Sequence, residues 1–268
     1  MILLYKDPEE RGSIMKAKPS DWYKHNWGLE IKNMSWVENT VNEVDHIIKL
    51  CGLQGGERIL DLACGYGRHS LEFAKRGFDV VGIDITKIYI EDAVAAARAN
   101  GLDNADFICC DIRDVSFSAE FDVVLNLADG AIGYLENDEE NLKIFDIIAR
   151  SLKCGGHHVC DIVSGEYADA HFPARLWDAG VNTLSLSEFD WDKDKRIMLF
   201  GNCDIPYGEQ MKHPEIPAGD PTRLYTLPEI KNIMQARDMK VVGAYAGYTD
   251  IPAGKDHFQM LIHSIKTK

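Results

Sequence analysis

Two aspartates flank a glycine-rich turn near residue 65, and this arrangement could hold a nucleotide-like ligand. Gly65 and Gly67 permit a tight turn in which the backbone approaches a ligand closely. A helix that starts near Arg68 would direct its free N–H groups at that ligand. Asp84 lies 17 positions beyond Gly67, where a carboxylate can accept hydrogen bonds from both hydroxyls of a ribose. Asp61 precedes the turn, and a buried acid there needs a partner such as a cationic ammonium group.

Each of these features has a simpler explanation when it stands alone. The run Gly65-Tyr66-Gly67-Arg68-His69-Ser70 is a degraded dinucleotide-binding fingerprint with serine at its third small position, and such a signal is weak. Asp84 alone could cap the helix that follows it, and Asp61 alone could be a turn aspartate. Their joint occurrence around one glycine turn favours a ligand site.

The glycine turn belongs to a stretch in which predicted strands alternate with predicted helices. Apolar runs bounded by turn residues predict strands at residues 58–62, 79–84, 106–110, 121–126 and 157–163. A long helix is predicted over residues 139–153, ended by Gly155 and Gly156. This alternation implies right-handed βαβ units and a parallel sheet with helices on both faces. Ligands bind such sheets beyond the carboxyl ends of the strands.

Residues 164–222 interrupt this alternation. Apolar residues on either side of the turn Asp192-Lys193-Asp194-Lys195 predict an antiparallel hairpin. Four of the nine prolines fall within residues 204–222, which is typical of a loop. Because a long ordered loop in a compact domain is usually functional or mobile, we interpret the insert as a lid over the active site. The alternative is a surface elaboration without function.

The alternation resumes at residue 223. Thr226-Leu227-Pro228-Glu229 has the spacing of a capping box with proline in the first helical turn. Residues 239–248 and 257–265 predict two final strands with a short connection between them. Short connections join antiparallel strands, so we expect the last two strands to pair in that way.

Composition narrows the class of protein. The chain has 268 residues, of which 46% are apolar, and this fits one α/β domain with an added segment. It has no run of about 18 apolar residues and no secretory signal, so we expect no membrane partner and a cytoplasmic location. A net charge of −14 repels a phosphate backbone and disfavours a nucleic-acid partner. The seven cysteines lack metal-like spacing, so we expect no metal.

Five motifs then follow one another at suitable spacings. They are ILDLACGYGRH at residues 59–69, VGID at 81–84, CDI at 110–112, FDVVLN at 121–126 and LKCGG at 152–156. Together they resemble the class I S-adenosylmethionine-dependent methyltransferases over roughly residues 35–163 and again over 223–268. The resemblance implies an α/β, Rossmann-like, seven-stranded and mostly parallel sheet with its last strand antiparallel, helices on both faces and an antiparallel lid insertion.

The resemblance also implies a division of the chain. Residues 1–34 would be an N-terminal aromatic segment that caps the cofactor cleft, and residues 35–163 the cofactor-binding core. Residues 164–222 would be the lid or substrate insertion, and residues 223–268 the C-terminal part of the core.

The resemblance assigns the methionine end of S-adenosylmethionine to the glycine turn. Asp61 and the backbone of the following residues would hold it, namely Ala63, Cys64, Gly65 and Gly67. Ala63 departs from the family, which often has glycine at this position. Since alanine is a mild change, we expect it to have little effect.

The remaining cofactor contacts are assigned in the same way. Asp84 would bind the ribose hydroxyls, with Ile85 against the adenine. Asp111 would accept from the adenine amino group, and the Ile112 backbone N–H would meet a ring nitrogen. Two residues at the end of the fourth predicted strand would lie beside the methionine chain and the transferable methyl group: Asn126 and Leu127.

Candidates on the substrate side rest on position alone. Tyr23, which we assign to the cofactor site, and Trp27 of the same aromatic segment could close the cofactor cleft. Other candidates lie near the pocket mouth, after the lid or at the start of the last strand: Tyr134, Arg223, Tyr225 and His257. Ordinary packing is the competing explanation for each of them.

The sequence therefore predicts transfer of a methyl group to an oxygen or nitrogen of a small molecule. The sulfonium already activates the methyl group, so the protein mainly has to align the acceptor and exclude water. A general base is needed only for a protonated acceptor, and no catalytic residue is identified. The alternatives are a non-catalytic cofactor-binding regulator and a nicotinamide-dependent oxidoreductase. The sequence leaves the acceptor and the oligomeric state open.

Overall fold

The computed structural model describes residues 15–25, 27–216 and 218–268. Residues 1–14 of the N-terminal segment and one proline of the insert, at position 217, lie outside the described residues. The α-helices are α1 (Thr40–Cys51), α2 (Arg68–Lys75), α3 (Lys87–Ala99), α4 (Asp138–Ser151), α5 (Gly165–His171) and α6 (Leu227–Gln235). No helix among the described residues is long and apolar enough to cross a membrane.

The strands number twelve in the described residues. They are β1 (Lys16–Ala17), β2 (Arg58–Leu62), β3 (Asp79–Asp84), β4 (Ala105–Cys109), β5 (Phe121–Asn126), β6 (Leu152–Val163), β7 (Ala174–Ala179), β8 (Thr183–Asp192), β9 (Ile197–Pro206), β10 (Ala218–Arg223), β11 (Met239–Ala246) and β12 (Gln259–Lys266). Short 3-10 helices cover Trp22–Lys24, Leu29–Asn33, Ser35–Asn39 and Ile112–Asp114.

Seven strands form the main sheet in the order β11-β12-β6-β5-β2-β3-β4. The strands from β4 through β3, β2 and β5 to β6 pair parallel to one another. The last strand, β12, runs antiparallel to both of its neighbours, β6 and β11. The predicted sheet is therefore confirmed, and the carboxyl ends of its parallel strands meet at one edge.

Helices cover both faces of this sheet, each over its own apolar core. On one face Leu60 packs in a cluster with Phe145 of α4. On the other face Ile59 packs in a cluster with Ile47 of α1 and Phe73 of α2. Neighbouring residues of β2 serve opposite faces because side chains alternate along a strand.

A second sheet of five strands, in the order β1-β10-β9-β8-β7, is built mostly from the insert. It contacts the main domain near the carboxyl ends of the parallel strands. There the N–H of Arg223 donates to the carbonyl of Gly133 over 2.8 Å, and the indole of Trp22 donates to the carbonyl of Pro221 over 3.1 Å. The predicted hairpin is confirmed, since β8 and β9 pair antiparallel with Asp192 opposite Ile197.

The insert contains more strand than its composition predicts. The expectation of a loop over residues 204–222 is wrong at both ends, because β9 reaches Pro206 and β10 begins at Ala218. β1 pairs with β10 only at Ala218 and Gly219. Among the described residues no strand pairs with the outer side of β10 at Pro221, whose carbonyl accepts from Trp22. A strand tolerates proline where no neighbour needs its missing N–H.

Two further boundaries differ from the prediction. β4 covers residues 105–109 instead of 106–110, and the long helix ends at Ser151, where β6 begins at once. Gly155 lies inside β6 with φ +79°, and the pairing of β6 with β5 shifts register between Phe121 and Val123. The glycine pair that was expected to end a helix thus belongs to an irregular strand.

Candidate functional site

The glycine turn follows β2 directly and is tied to the end of β3. The N–H of Cys64 donates to the carbonyl of Ile83 over 2.9 Å, and the N–H of Gly65 donates to Oδ2 of Asp84 over 2.9 Å. Gly65 has φ +57°, and a Cβ added there would meet nothing nearer than 4.0 Å. The turn is therefore left-handed at Gly65 and open above it.

Gly67 is glycine for a different reason. Its φ is +76°, and an added Cβ would lie 2.8 Å from Cε1 of Phe107 and 3.1 Å from the Cβ of Ala93. The start of α2 therefore packs so closely on β4 and α3 that a side chain at Gly67 has no room. Sequence reasoning attributed both glycines to the approach of a ligand, and it missed this packing contact.

Asp84 closes β3 with its side chain turned back onto the backbone. Oδ1 accepts from the N–H of Thr86 over 2.7 Å and Oδ2 from that of Gly65 over 2.9 Å. Burial raises the pKa of this carboxyl above its usual value. A carboxylate oxygen can accept more than one hydrogen bond, so each oxygen keeps capacity for a hydroxyl group.

Asp61 lies near the end of β2, 2% exposed. Its Oδ2 accepts from the hydroxyl of Ser70 on α2 over 2.6 Å. Burial raises the pKa of Asp61 to about 7, although Ser70 and the charge of Arg68 oppose the shift. A cation beside Asp61 would favour its ionised form.

A buried polar network continues from Asp61 along α1 and α2. Oε2 of Glu43 accepts from Arg68 over 2.5 Å and lies 2.7 Å from Nε2 of His69. Burial alone would raise the pKa of Glu43, but His69 and Arg68 hold it below its ordinary value. Burial lowers the pKa of His69 to about 4.

Asp161, near the end of β6, lies close enough to Glu43 for that charge to affect its pKa. Sequence reasoning missed this residue. It is 4% exposed, and burial raises its pKa to about 7, with the carboxylates of Asp129 and Glu43 adding to the shift. Its Oδ1 and the hydroxyl of Tyr248 are both buried, and this hydroxyl lies close enough to the carboxyl to oppose part of the shift. The available signal was a single acid between the apolar residues 159–160 and 162–163 of a predicted strand.

The residues assigned to the adenine lie at the ends of β3 and β4. Asp111 accepts three hydrogen bonds from Arg113, from its backbone N–H and from its guanidinium, at 2.6–3.0 Å. Burial would raise the pKa of Asp111, but Arg113 lowers it. Ile112 is buried at the first position of a 3-10 helix, where a backbone N–H has no acceptor within the helix. Ile85 is half-buried and packs against the apolar core that contains Ile112.

The side chain of Asn126 is already engaged within the protein. Its Nδ2 donates to the carbonyl of Gly130 over 2.8 Å, and its Oδ1 lies 3.3 Å from Nε2 of His158. It therefore holds the loop after β5 in place. Leu127 is 5% exposed and packs in the core of the α1 and α2 face.

Ala63 and Cys64 lead into the turn. Ala63 has φ +56°, a left-handed conformation that is costly for any residue with a Cβ. Alanine in place of glycine at position 63 therefore has a cost in conformational energy, which the sequence alone did not reveal. Burial raises the pKa of the Cys64 thiol well above its usual value, so this thiol stays protonated near neutral pH.

The aromatic segment packs against the loop after β5. Tyr23 donates to Oε1 of Glu136 over 2.8 Å and accepts from Arg113 over 3.2 Å. Burial raises its pKa to about 12. The Trp27 indole lies roughly parallel to the Tyr134 ring at 6.3 Å between centroids. The structure thus brings Tyr23, Trp27 and Tyr134 together.

Tyr134 also identifies an acid that sequence reasoning did not select. Its hydroxyl donates to Oδ2 of Asp129 over 2.9 Å, and Oδ1 of Asp129 accepts from the N–H of Val163 over 3.3 Å. Burial raises the pKa of Asp129. Asp129 has φ +68°, in the loop that joins β5 to α4. The half-buried Asp129 and the buried Asp161 are thus two carboxyls of raised pKa near the ends of β5 and β6.

The other predicted substrate residues lie elsewhere. Arg223 forms ion pairs with Glu229 at 2.6 Å and Asp138 at 3.2 Å, and its guanidinium lies over the Tyr225 ring at 4.5 Å. Tyr225 is 3% exposed and packs in the core on the α4 side. His257 lies just before β12, and its Nδ1 is buried without a partner among the described residues.

This edge of the sheet fits a cationic, ribose-bearing cofactor. Asp61 and Asp161 are buried carboxyls of raised pKa, and a cation beside them would favour their ionised forms. S-adenosylmethionine carries an ammonium group, a sulfonium and two ribose hydroxyls. The open face of Gly65 leaves room beside Asp84.

Comparisons with known proteins agree with this geometry. Residues 53–202, more than half of the chain, match the family model described as a methyltransferase domain. The curated 23S rRNA (uracil(1939)-C(5))-methyltransferase RlmD of Shewanella amazonensis is 38% identical over 82 residues, which are 31% of this chain and 17% of that protein. The chain thus matches about a sixth of the length of this relative.

Two solved structures have the same fold. A S-adenosylmethionine-dependent methyltransferase from Clostridium acetobutylicum superposes with a TM-score of 0.70 at 17% identity, covering 84% of this chain and 91% of that one. CalS10 from Micromonospora echinaspora, an amino pentose methyltransferase with S-adenosylmethionine bound, gives a TM-score of 0.61 at 16% identity, covering 88% and 93%. This chain belongs to the methyltransferase domain family, within the class I S-adenosylmethionine-dependent methyltransferases.

Proposed function

We propose that the protein transfers the methyl group of S-adenosylmethionine to an oxygen or nitrogen of a small molecule. The observation that carries this proposal is the pair of buried carboxyls, Asp61 and Asp84, on either side of an open glycine turn. Asp61 and the backbone from Ala63 to Gly67 would hold the methionine end of the cofactor. Asp84 would accept from the ribose hydroxyls.

The adenine would lie between the ends of β3 and β4. Ile85 would contact one face of the base, and the N–H of Ile112 would donate to a ring nitrogen. Asp111 can accept from the adenine amino group only with the lone pairs that Arg113 leaves free. Asn126 and Leu127 hold the loop after β5 in place, and through this loop they would border the methionine chain of the cofactor.

The bound cofactor would supply an activated methyl group. The protein would then orient the acceptor, exclude water and take up a proton where the acceptor carries one. Two carboxyls of raised pKa near the ends of β5 and β6 are suited to hold that proton, Asp129 and Asp161. Because burial raises the pKa of Asp161 to about 7, it would exchange a proton near neutral pH.

Three considerations support a small acceptor. The second sheet, which includes Pro221 and Arg223, packs against the loop after β5, and we propose that residues 164–222 act as its lid. We further propose that the aromatic segment, through Tyr23 and Trp27, closes the cleft from the other side. The net charge of −14 opposes binding to a phosphate backbone.

RNA is the competing acceptor class, because the curated relative named above acts on 23S rRNA. Turnover of S-adenosylmethionine to S-adenosylhomocysteine with a metabolite library and, in parallel, with total RNA would separate the two. We expect turnover with a small molecule and none with RNA. Turnover with RNA alone would overturn the small-molecule assignment, and cofactor binding without turnover on either set or in a cell extract would favour a non-catalytic regulator.

A further inference from the structure

Three metal-ligating side chains meet at the end of the sheet opposite the glycine turn. Nδ1 of His157 lies 2.8 Å from Nε2 of His263, and Sγ of Cys51 lies 3.9 Å from that same nitrogen. All three atoms lie within 4.8 Å of one another. The chain separates His157 from His263 by 106 positions and Cys51 from His263 by 212, so spacing in the sequence does not reveal this cluster.

The fold holds each of these residues on a different element. Cys51 is the last residue of α1 and His157 is in the first half of β6. His263 lies on β12 opposite Val159, diagonally across from His157. His157 pairs with Val123 of β5 and with Ile265 of β12. The cluster therefore lies toward the amino ends of the parallel strands, away from the carboxyl ends where Asp61 and Asp84 lie.

The distances are close to those of a tetrahedral metal site. With Zn–N of about 2.0–2.1 Å and Zn–S of about 2.3 Å, tetrahedral ligands stand about 3.3 Å apart for two nitrogens and about 3.6 Å apart for nitrogen and sulfur. The observed 2.8 and 3.9 Å differ from these values by about half an ångström or less. The third pair, Cys51 and His157, lies within 4.8 Å, so this distance would shorten by up to about 1.2 Å on metal binding.

Metal binding would change the protonation of the cluster. Burial lowers the pKa values of His157 and His263, so both imidazoles are neutral at pH 7. Without a metal, Nδ1 of His157 and Nε2 of His263 share a hydrogen bond, and a metal would replace it once the donor moves its proton to its other ring nitrogen. Burial raises the pKa of the Cys51 thiol to about 12. Cys51 therefore carries a proton without a metal, and it must lose that proton to become a thiolate ligand.

A surface cleft gives access to the cluster. It has a volume of about 300 Å³ and is lined by Cys51 and His157 together with Cys154, Glu57 and Asp122. An ion could enter through this cleft without disturbing the core. The cleft would leave a fourth position that water could fill.

We propose that Cys51, His157 and His263 form a zinc site with its fourth position open to this cleft. Zn²⁺ takes thiolate and imidazole ligands in tetrahedral geometry. Binding would exchange the Cys51 S–H bond for a Zn–S bond and release one proton to solvent. The site would tie α1 to β6 and β12 at the amino ends of the parallel strands. This proposal does not depend on the acceptor or on methyl transfer.

Titration of the full, tag-free and metal-stripped chain under reducing conditions tests the site. With Co²⁺ as the probe, we expect the visible bands of tetrahedral cobalt and a near-ultraviolet thiolate-to-cobalt band at one equivalent. Zn²⁺ should abolish these bands and should release one proton per ion bound. Absence of both bands, or saturation with Cu²⁺ but not with Zn²⁺, would overturn the zinc assignment.

Two variants test whether Zn²⁺ binds at this cluster or at other places on the protein. Cys51→Ser should lose the thiolate band and bind Zn²⁺ at least about 10-fold more weakly, while Cys203→Ser, a half-buried cysteine of β9, should bind as the wild type does. Circular dichroism and the urea midpoint would verify that both variants fold. If Cys51→Ser does not fold, the wild-type titration and its proton release still decide the matter. Equal Zn²⁺ affinity in a folded Cys51→Ser variant would contradict the proposal.

Discussion

The backbone N–H of Gly65 donates a hydrogen bond to Oδ2 of Asp84 over 2.9 Å. This contact joins the turn after β2 to the end of β3. It fixes the carboxylate of Asp84 beside the open face of the turn. The two features that first suggested a ligand site are therefore parts of one structural unit.

Replacement of Asp84 should weaken cofactor binding. Asp84→Ala removes the acceptor for the ribose hydroxyls, and hydrogen bonds to charged groups contribute about 1.5–3 kcal/mol. We expect a loss in S-adenosylmethionine affinity of about 10- to 100-fold, measured by calorimetry. Asp84→Asn keeps one acceptor oxygen and should lie between the wild type and Asp84→Ala.

The same substitution also removes the acceptor for two backbone N–H groups, so its effect needs a control. Asp106→Ala changes an exposed aspartate of β4 and should leave affinity unchanged. Thermal unfolding of all variants would show whether the turn still folds. Unchanged affinity in a folded Asp84→Ala variant would contradict the assigned role.

Gly67→Ala should destabilise the protein through contact with Phe107. The new Cβ would lie 2.8 Å from the Phe107 ring in a left-handed conformation. Overpacking costs about 1–3 kcal/mol on top of about 1 kcal/mol for the conformation. Gly101→Ala is the matched control, because Gly101 has φ +65° and nothing within 4 Å. Urea unfolding should show a clearly larger loss for Gly67→Ala, and equal losses would reject the packing explanation.

Ala63→Gly should stabilise the protein or leave it unchanged. Relief of the left-handed alanine at φ +56° is worth about 1–2 kcal/mol, and the greater freedom of glycine in the unfolded chain offsets about 0.4–1 kcal/mol. Ala95→Gly, on the exposed face of α3, should cost about 1 kcal/mol. In urea unfolding we expect a gain or no change in stability for Ala63→Gly and a loss for Ala95→Gly. A clear loss of stability for Ala63→Gly would contradict this expectation.

The buried carboxyls Asp61 and Asp161 should make stability and binding depend on pH. Their pKa values are raised from 3.8 to about 7, so the folded protein binds more protons than the unfolded chain between these values. The contribution of these two carboxyls to stability without cofactor should therefore fall as pH rises from about 4 to about 7. The buried imidazoles of His69 and His263, with pKa values of about 4, contribute in the opposite direction, so the carboxyl contribution is measured as the difference between the wild type and Asp61→Asn. Cofactor affinity should rise over the same range, because a cation favours the ionised carboxylates.

Calorimetry in buffers of different ionisation enthalpy measures this coupling. Below pH 7 we expect binding of S-adenosylmethionine to release protons to the buffer, and Asp61→Asn to release fewer. Ser70→Ala would test whether the hydrogen bond to Asp61 tunes the effect. Proton uptake on binding would show that the sign of the coupling is wrong.

Much of the core could be predicted from the sequence. The bounds of β2, β3 and β5 match their predicted ranges, because each is an apolar run between turn residues. The capping box at Thr226 and Glu229 is formed as predicted. These patterns are local, so a few consecutive residues are enough to predict the strands and the helix start.

Contacts between distant segments could not be predicted in this way. Gly67 meets Phe107, and Tyr134 meets Asp129 in a loop whose left-handed residues give no clear local signal. Arg113 occupies the carboxylate of Asp111, although both were visible in the sequence, because nothing local shows which way an arginine turns. The conformation of Ala63 likewise depends on how β2 meets α2.

Calorimetric titration of the wild-type chain with S-adenosylmethionine, and in parallel with NADH, tests the central claim most directly. We predict saturable binding of one S-adenosylmethionine per chain, weakened in Asp84→Ala, and no binding of NADH. A folded chain that binds NADH, or that gives no heat with S-adenosylmethionine at any concentration tested, would contradict the account.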